Sequence, residues 1–265
     1  ELAGCDAVPA DSAVYLEAPG DVRRVLFGID IDVGELLWAK QAGFDAVIAH
    51  HPLSAGTRGG IVRVAERQVA MMIGEGIAED EARRAVAERM ATRLRAAHMA
   101  NVDRVADTGR LVGMPFCNVH LACDILGRDA IVDLLERRRS PEATVGDAVA
   151  WLHEFPEVAA APGRPEVWLG SPAAPLGRYV VAMAGGTNGG YPVYSRYYGA
   201  GVDTVLSMHI DEGDLQRLRA TAGDGRSLVV TGHMGTDSIG VNIVVRALEE
   251  RGVEVTRTAG VVVPA

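Results

Sequence analysis

The stretch from Val25 to Pro52 constrains this chain more than any other. Val25-Leu26-Phe27-Gly28-Ile29 is an apolar run of strand length that ends at Asp30 and Asp32. Val33 to Gln41 follows with Leu36, Leu37 and Lys40 spaced for one buried helical side, and Gly43 supplies the stop. Phe44 to Ala49 is a second apolar run, closed by His50-His51-Pro52. A strand, a helix and a strand in that order imply a right-handed parallel crossover. In open α/β sheets functional groups collect outside the carboxyl ends of the strands, which is where the two imidazoles fall. Adjacent strand residues point to opposite faces, so both histidines reach one site only if the strand ends there. Pro52 provides that end, because it has no N–H to donate to a ladder.

The rest of the chain continues the alternation. Residues 61–100 read as two helical stretches broken near Gly74-Glu75-Gly76, and 113–121 as a third strand. A helix is expected over 129–139, followed by a connection rich in Pro, Ala and Gly over 140–178 with one short helix near Trp151. Strands are expected at Tyr179–Met183, Val202–Met208, Leu228–Thr231 and Val253–Thr258, with a helix from Ser238 to Arg251. Strands alternating with helices throughout predict an α/β protein. At 265 residues, with 48% hydrophobic and 23% charged residues, the chain can bury a full core. A net charge of −9 argues against a nucleic-acid backbone or an anionic membrane as main partner. No apolar run approaches the roughly 18 residues needed to cross a bilayer. Three cysteines, an odd count, suggest a reducing compartment, so a cytoplasmic location is expected.

Three segments carry chemistry. His50-His51 is the first. The second is His120-Leu121-Ala122-Cys123-Asp124. Placed on a strand, Asn118, His120 and Asp124 share one face and Cys117 and Cys123 the other, which counts against a zinc site made of Cys117, His120 and Cys123. Four strand residues span roughly 13 Å, too far for one ion, so either the strand breaks or only one side chain binds directly. Asp124 is the expected ligand, with His120 nearby as a proton carrier. The third segment is Gly232-His233-Met234-Gly235-Thr236-Asp237, where the same spacing of imidazole and carboxylate recurs. Asp237 could instead cap the following helix. Three imidazoles and two carboxylates from three segments suit Zn, Mn, Fe, Co or Ni, and the two carboxylates suit a pair of such ions. Asp30 and Asn118 are expected beside the ligands as outer supports. His209, at a strand end before Asp211-Glu212, is a second proton-carrying candidate, whereas His98 and His153 lie on helices and are read as structural. The Gly-rich loop 184–190 fits neither dinucleotide nor P-loop spacing. Its backbone amides can form an anion nest, so Gly185, Gly186, Thr187 and Asn188 are substrate-binding candidates.

Taken together, the H-H-P segment, the H-x-x-x-D segment and the G-H-x-x-[S/T]-acid segment resemble the Nif-three-like dinuclear metal-centre family, the GTP cyclohydrolase I type-two homologues. The resemblance implies two α/β lobes with a metal cleft between them. We expect residues 1–130 together with 225–265 to form the first lobe and residues 131–224 the second. It implies His50, His51, Asp124, His233 and Asp237 as ligands of two divalent ions, with the two carboxylates as bridges. It also implies a hexameric ring. The family has Glu where this chain has Asp237, which shortens the reach by one methylene. The activity implied is hydrolytic attack on C8 of a guanine ring with release of formate. A metal-dependent hydrolase of a small phosphorylated substrate is therefore expected, and a non-catalytic metal-binding or regulatory scaffold is the rival.

Overall fold

The computed structural model describes residues 2–263. In chain order the elements are β1 (Ala13–Leu16), β2 (Arg24–Gly28), α1 (Val33–Gln41), β3 (Ala46–Ala49), α2 (Ala55–Val64), α3 (Glu66–Gly74), α4 (Glu79–His98), α5 (Arg104–Val112), β4 (Phe116–Asn118) and α6 (Leu121–Arg138). There follow α7 (Val145–Leu152), α8 (Pro156–Ala160), β5 (Glu166–Leu169), β6 (Tyr179–Val181), α9 (Gly190–Gly199), β7 (Thr204–Ser207), α10 (Glu212–Thr221), β8 (Ser227–Val230), α11 (His233–Glu249) and β9 (Glu254–Thr258). The strands form two sheets, ordered β1-β4-β3-β2-β9 and β5-β8-β7-β6. Each is parallel apart from one antiparallel edge strand, β1 on β4 and β5 on β8. The α/β class is as the alternation predicts. The segment from 225 onward, expected with the first lobe, instead opens with β8, which pairs with β7 in the second sheet.

Parallel sheets need apolar cover on both faces, and both sheets have it. On one face of the first sheet Leu26, Val47 and Phe116 pack on Leu36 and Ala39 of α1 and Val105 and Ala106 of α5. On the other, Phe27 packs with Val241 and Val245 of α11. In the second sheet Val205 and Leu228 meet Met72, Met90, Tyr194 and Tyr197 from α3, α4 and α9. Leu206 and Val229 meet Ile131, Leu152 and Ile239 from α6, α7 and α11. Helix α11 thus contributes to the cores of both sheets. Each fully buried aliphatic or phenyl side chain of this kind stabilises by ~1.5–3 kcal/mol.

Helices α6 and α11 touch backbone to backbone. A Cβ on Gly240 would run into the carbonyl of Cys123, and one on Gly127 would crowd the backbone of Gly240. These glycines lie three residues after Asp237 and Asp124 respectively, so the close crossing draws the two carboxylates together. The sequence expectation of a helix from Ser238 is corrected by five residues, and that of a helix from 129 by eight. The expected pair of helices over 61–100 is three, α2 to α4.

Candidate metal centre

The carboxyl ends of β2, β3 and β4 in the first sheet and of β6, β7 and β8 in the second open onto one cavity of about 430 Å³. From the first sheet, β2 delivers Asp30, β3 delivers His51, and His120 follows β4. From the second, the Gly-rich loop follows β6, His209 follows β7 and His233 follows β8.

Local structure places each imidazole. The backbone N–H groups of His50 and His51 donate to the carbonyls of Gly28 (2.8 Å) and Ile29 (3.1 Å), so strand pairing continues to Pro52 and stops. There the two rings converge, with centroids 5.0 Å apart. His120 is not on a strand, contrary to the sequence expectation. Strand β4 ends at Asn118, and His120 is the N-cap residue of α6 at φ −98°, ψ −87°. Asp124 is therefore one helical turn on, and His120 Nε2 comes to 3.7 Å from its Oδ2. His233 likewise opens α11 after Gly232, whose φ of +90° suits glycine, and its Nε2 lies 3.1 Å from Asp237 Oδ2. Asp237 is thus buried a turn inside the helix and does not cap it.

Three of the rings are oriented by the same device. His50 Nδ1 donates to the carbonyl of Val119 (3.1 Å), His51 Nδ1 to Asp30 Oδ1 (2.6 Å) and His120 Nδ1 to Asp11 Oδ2 (2.6 Å). With Nδ1 donating, each Nε2 is the ring atom left facing the carboxylates, available to a cation or, without one, to a proton shared with them. His50 Nε2 lies 3.3 Å from Asp124 Oδ1 and 3.7 Å from Asp237 Oδ2, and His51 Nε2 lies 3.4 Å from Asp237 Oδ2. Both His50 Nε2 and Asp237 Oδ2 are buried without a hydrogen bond. Buried polar atoms without partners are costly, and a cation among them would satisfy both. The donor atoms of His50, His51 and His120 lie within 4.8 Å of one another, as do those of His51, His233 and Asp237 and those of His50, Asp124 and Asp237. The residues fit a divalent metal site.

The electrostatics agree. Burial pushes the Asp237 carboxyl up, but the imidazoles of His50, His233 and His51 outweigh it and hold it well below the usual range. Asp124 is also held low, burial being outweighed by His120 and His50. Burial disfavours a charged His51, yet Asp237 and Asp30 raise its pKa to about 10. In the absence of a cation these carboxylates thus keep a proton on the ring. His209 goes the other way: burial, then the neighbouring His233, lower it to about 4.

Asp30 supports His51 as expected. Among the described residues the Asn118 side chain hydrogen-bonds to none of the expected ligands. Its Nδ2 donates to the Asp11 carbonyl (2.7 Å) and its Oδ1 accepts from Tyr15 (2.6 Å), so it steadies the segment that carries Asp11. Gly185, Gly186, Thr187 and Asn188 line the cavity. His98 and His153 lie outside it, at the ends of α4 and α7. Asp11 was not expected from the sequence at all. It is completely buried at the entrance to β1, and Ser12 beside it accepts from the His120 backbone N–H (3.0 Å). No local signal marks it, because its partner lies 109 residues away.

Two α/β lobes whose strand ends gather histidines and aspartates, donors of the kind that hold a metal ion, into one pocket define the class of protein. Among solved structures, the chain superposes with a TM-score of 0.91 on a NIF3 superfamily protein from Sphaerobacter thermophilus, at 42% identity over 98% of this chain and 94% of that one. The chain belongs to the NIF3 superfamily. More distant likenesses are to reduced HcgD from Methanocaldococcus jannaschii (TM-score 0.54, 12% identity, 92% of this chain and 87% of that one) and to TTHA1606 from Thermus thermophilus (TM-score 0.52, 14% identity, 95% and 89%). At those identities the likeness shows the fold alone. No protein-family model and no curated protein matches the chain.

Proposed function

We propose that this protein is a hydrolase that uses two divalent transition-metal ions to act on a small phosphorylated substrate, and that it assembles as a hexamer. The observation that carries this reading is the position of Asp237. Asp237, whose Oδ2 is buried without a hydrogen bond, belongs to two overlapping donor groups, one with His51 and His233 and the other with His50 and Asp124. A carboxylate common to two donor sets suits a site that would hold two ions. In this assignment His50 and Asp124 would hold one ion, His51 and His233 would hold the other, and Asp237 would serve both. Imidazole and carboxylate donors suit Zn, Mn, Fe, Co or Ni.

Such ions, when bound, polarise a substrate oxygen and lower the pKa of a coordinated water toward about 7. The chain's own residues supply the rest. Asp30, Asp11 and the Val119 carbonyl fix the tautomers of His51, His120 and His50. His120 stands at the cavity wall with Asp11 behind it, placed to carry a proton to a leaving group.

The test is turnover on a panel of phosphoesters and nucleotides after reconstitution with each metal. GTP heads the panel, read by release of formate. Activity that disappears with a chelator and returns with one metal supports the reading. Protein that retains metal and turns over nothing would favour the non-catalytic scaffold.

A further inference from the structure

We propose that the cavity wall beside His233 is an oxyanion subsite, in which His209 Nε2–H and the Arg93 guanidinium hold a phosphate or carboxylate group of an organic ligand with an apolar body. This rests on the reading of the cavity as a substrate pocket.

Arg89, only 4% exposed, sets the order of donors and acceptors behind this wall. Its Nε donates to the backbone carbonyl of Asn188 (3.0 Å) and its Nη2 to Asn188 Oδ1 (2.5 Å). A guanidinium has donors only, so the amide oxygen must face Arg89 and the amide NH₂ must face away. Asn188 Nδ2 meets His209 Nδ1 at 2.9 Å. An NH₂ group cannot accept, so Nδ1 is the acceptor and the ring hydrogen sits on Nε2. His209 lines the cavity, and its Nε2 has no partner among the described residues. Asp211 (2.8 Å) and Asp214 (3.2 Å) neutralise Arg89, so the polarity of the chain is fixed from its buried end.

The Gly-rich loop is shaped for this contact. Gly186 and Gly190 have φ of +79° and +59°, and a Cβ on Gly190 would strike the Asp214 carboxylate. Ala184 accepts the left-handed conformation at φ +59° while buried. The loop thus seats Asn188 between Arg89 and His209.

Arg93, one turn beyond Arg89 on α4, lines the same cavity. Its Nε is buried without a hydrogen-bond partner. The carboxylate nearest its Nη2, Asp211, is 3.9 Å away and already engaged by Arg89. A guanidinium stays charged throughout the accessible pH range, so an under-paired one beside an imidazole donor favours an oxyanion. Ile61, Met90 and Leu94 line the adjoining wall and offer cover for an apolar body.

The experiment is calorimetric titration of the full chain as purified with phenyl phosphate, benzoate and benzyl alcohol, repeated on Arg93→Gln. The expected result is binding of at least one oxyanion well above the alcohol, and a loss of roughly tenfold or more of that affinity in Arg93→Gln with the alcohol unchanged. The stronger of the two anions assigns the group as phosphate or carboxylate. Equal binding of the alcohol, or no loss in Arg93→Gln, would overturn the subsite. Long-range ¹H–¹⁵N correlation should show His209 neutral with hydrogen on Nε2, and Asn188→Asp should move hydrogen to Nδ1; an Nδ1–H ring in the unmodified chain would overturn the positioning role of Asn188 and Arg89. Anion binding through Arg93 without turnover would leave the subsite standing and remove only the hydrolase.

Discussion

At the residue scale the centre depends on where hydrogens sit. For His50, His51 and His120, the Nε2 that faces the carboxylates is matched by an Nδ1–H bonded to an oxygen elsewhere. Asp11 is the clearest case, a fully buried carboxylate whose Oδ2 bonds His120. Supports of this kind typically alter metal affinity by 10–100-fold. If His120 also touches an ion, Asp11→Asn weakens metal binding within that range in a competition titration; if it only carries protons, as we assign it, turnover falls while metal affinity holds. Asp237→Asn removes the proposed bridge and should reduce bound metal to one ion or fewer per chain, while circular dichroism stays that of the folded protein. The sequence exposes much of this cluster, because His50-His51-Pro52 and the two His-x-x-x-Asp spacings are local. It does not expose Asp11 or the Arg89–Asn188–His209 chain, whose contacts join residues 109, 99 and 21 positions apart.

At the element scale the two carboxylates sit together because α6 and α11 cross with glycine against backbone. Gly240→Ala should therefore destabilise the fold by ~1–3 kcal/mol or more through overpacking against the Cys123 carbonyl, seen as a lower urea midpoint. It should also weaken metal binding, since Asp237 lies one turn before the clash. A control at an exposed helical glycine, Gly213→Ala in α10, should do neither. The starts of α6 and α11 are hidden in the sequence for one reason. Neither His120 nor Gly232 gives its helix a side-chain cap, and the first turn of α6 is an apolar run that suits a strand as well. Helix α9 is hidden because its tyrosines favour strands in isolation. Burial of Tyr194 and Tyr197 overrides that preference.

At the scale of the whole molecule, strand ends of both sheets meet at one cavity, and α11 packs into both cores. Among the described residues no helix is long and apolar enough to cross a membrane. A cation held by residues following β3 and β8, as proposed, would tie the two sheets together, so its removal should lower the thermal midpoint. An ion at 100 times its Kd contributes about 2.7 kcal/mol, and restoring it should return that stability. The fold should nonetheless survive chelation, because the carboxylates can retain protons on the imidazoles in place of the metal. The alternation of strands and helices is legible in the sequence. The sheet membership of β8 is not, since a buried strand carries no mark of which neighbour it pairs with.

The most direct measurement is metal content per chain, by elemental analysis of protein purified without an affinity tag or chelator and again after reconstitution with Zn, Mn, Fe, Co and Ni in turn. About two equivalents of one transition metal are expected, falling when Asp237 is replaced. No metal bound under any of these conditions would contradict the assignment of a dinuclear centre.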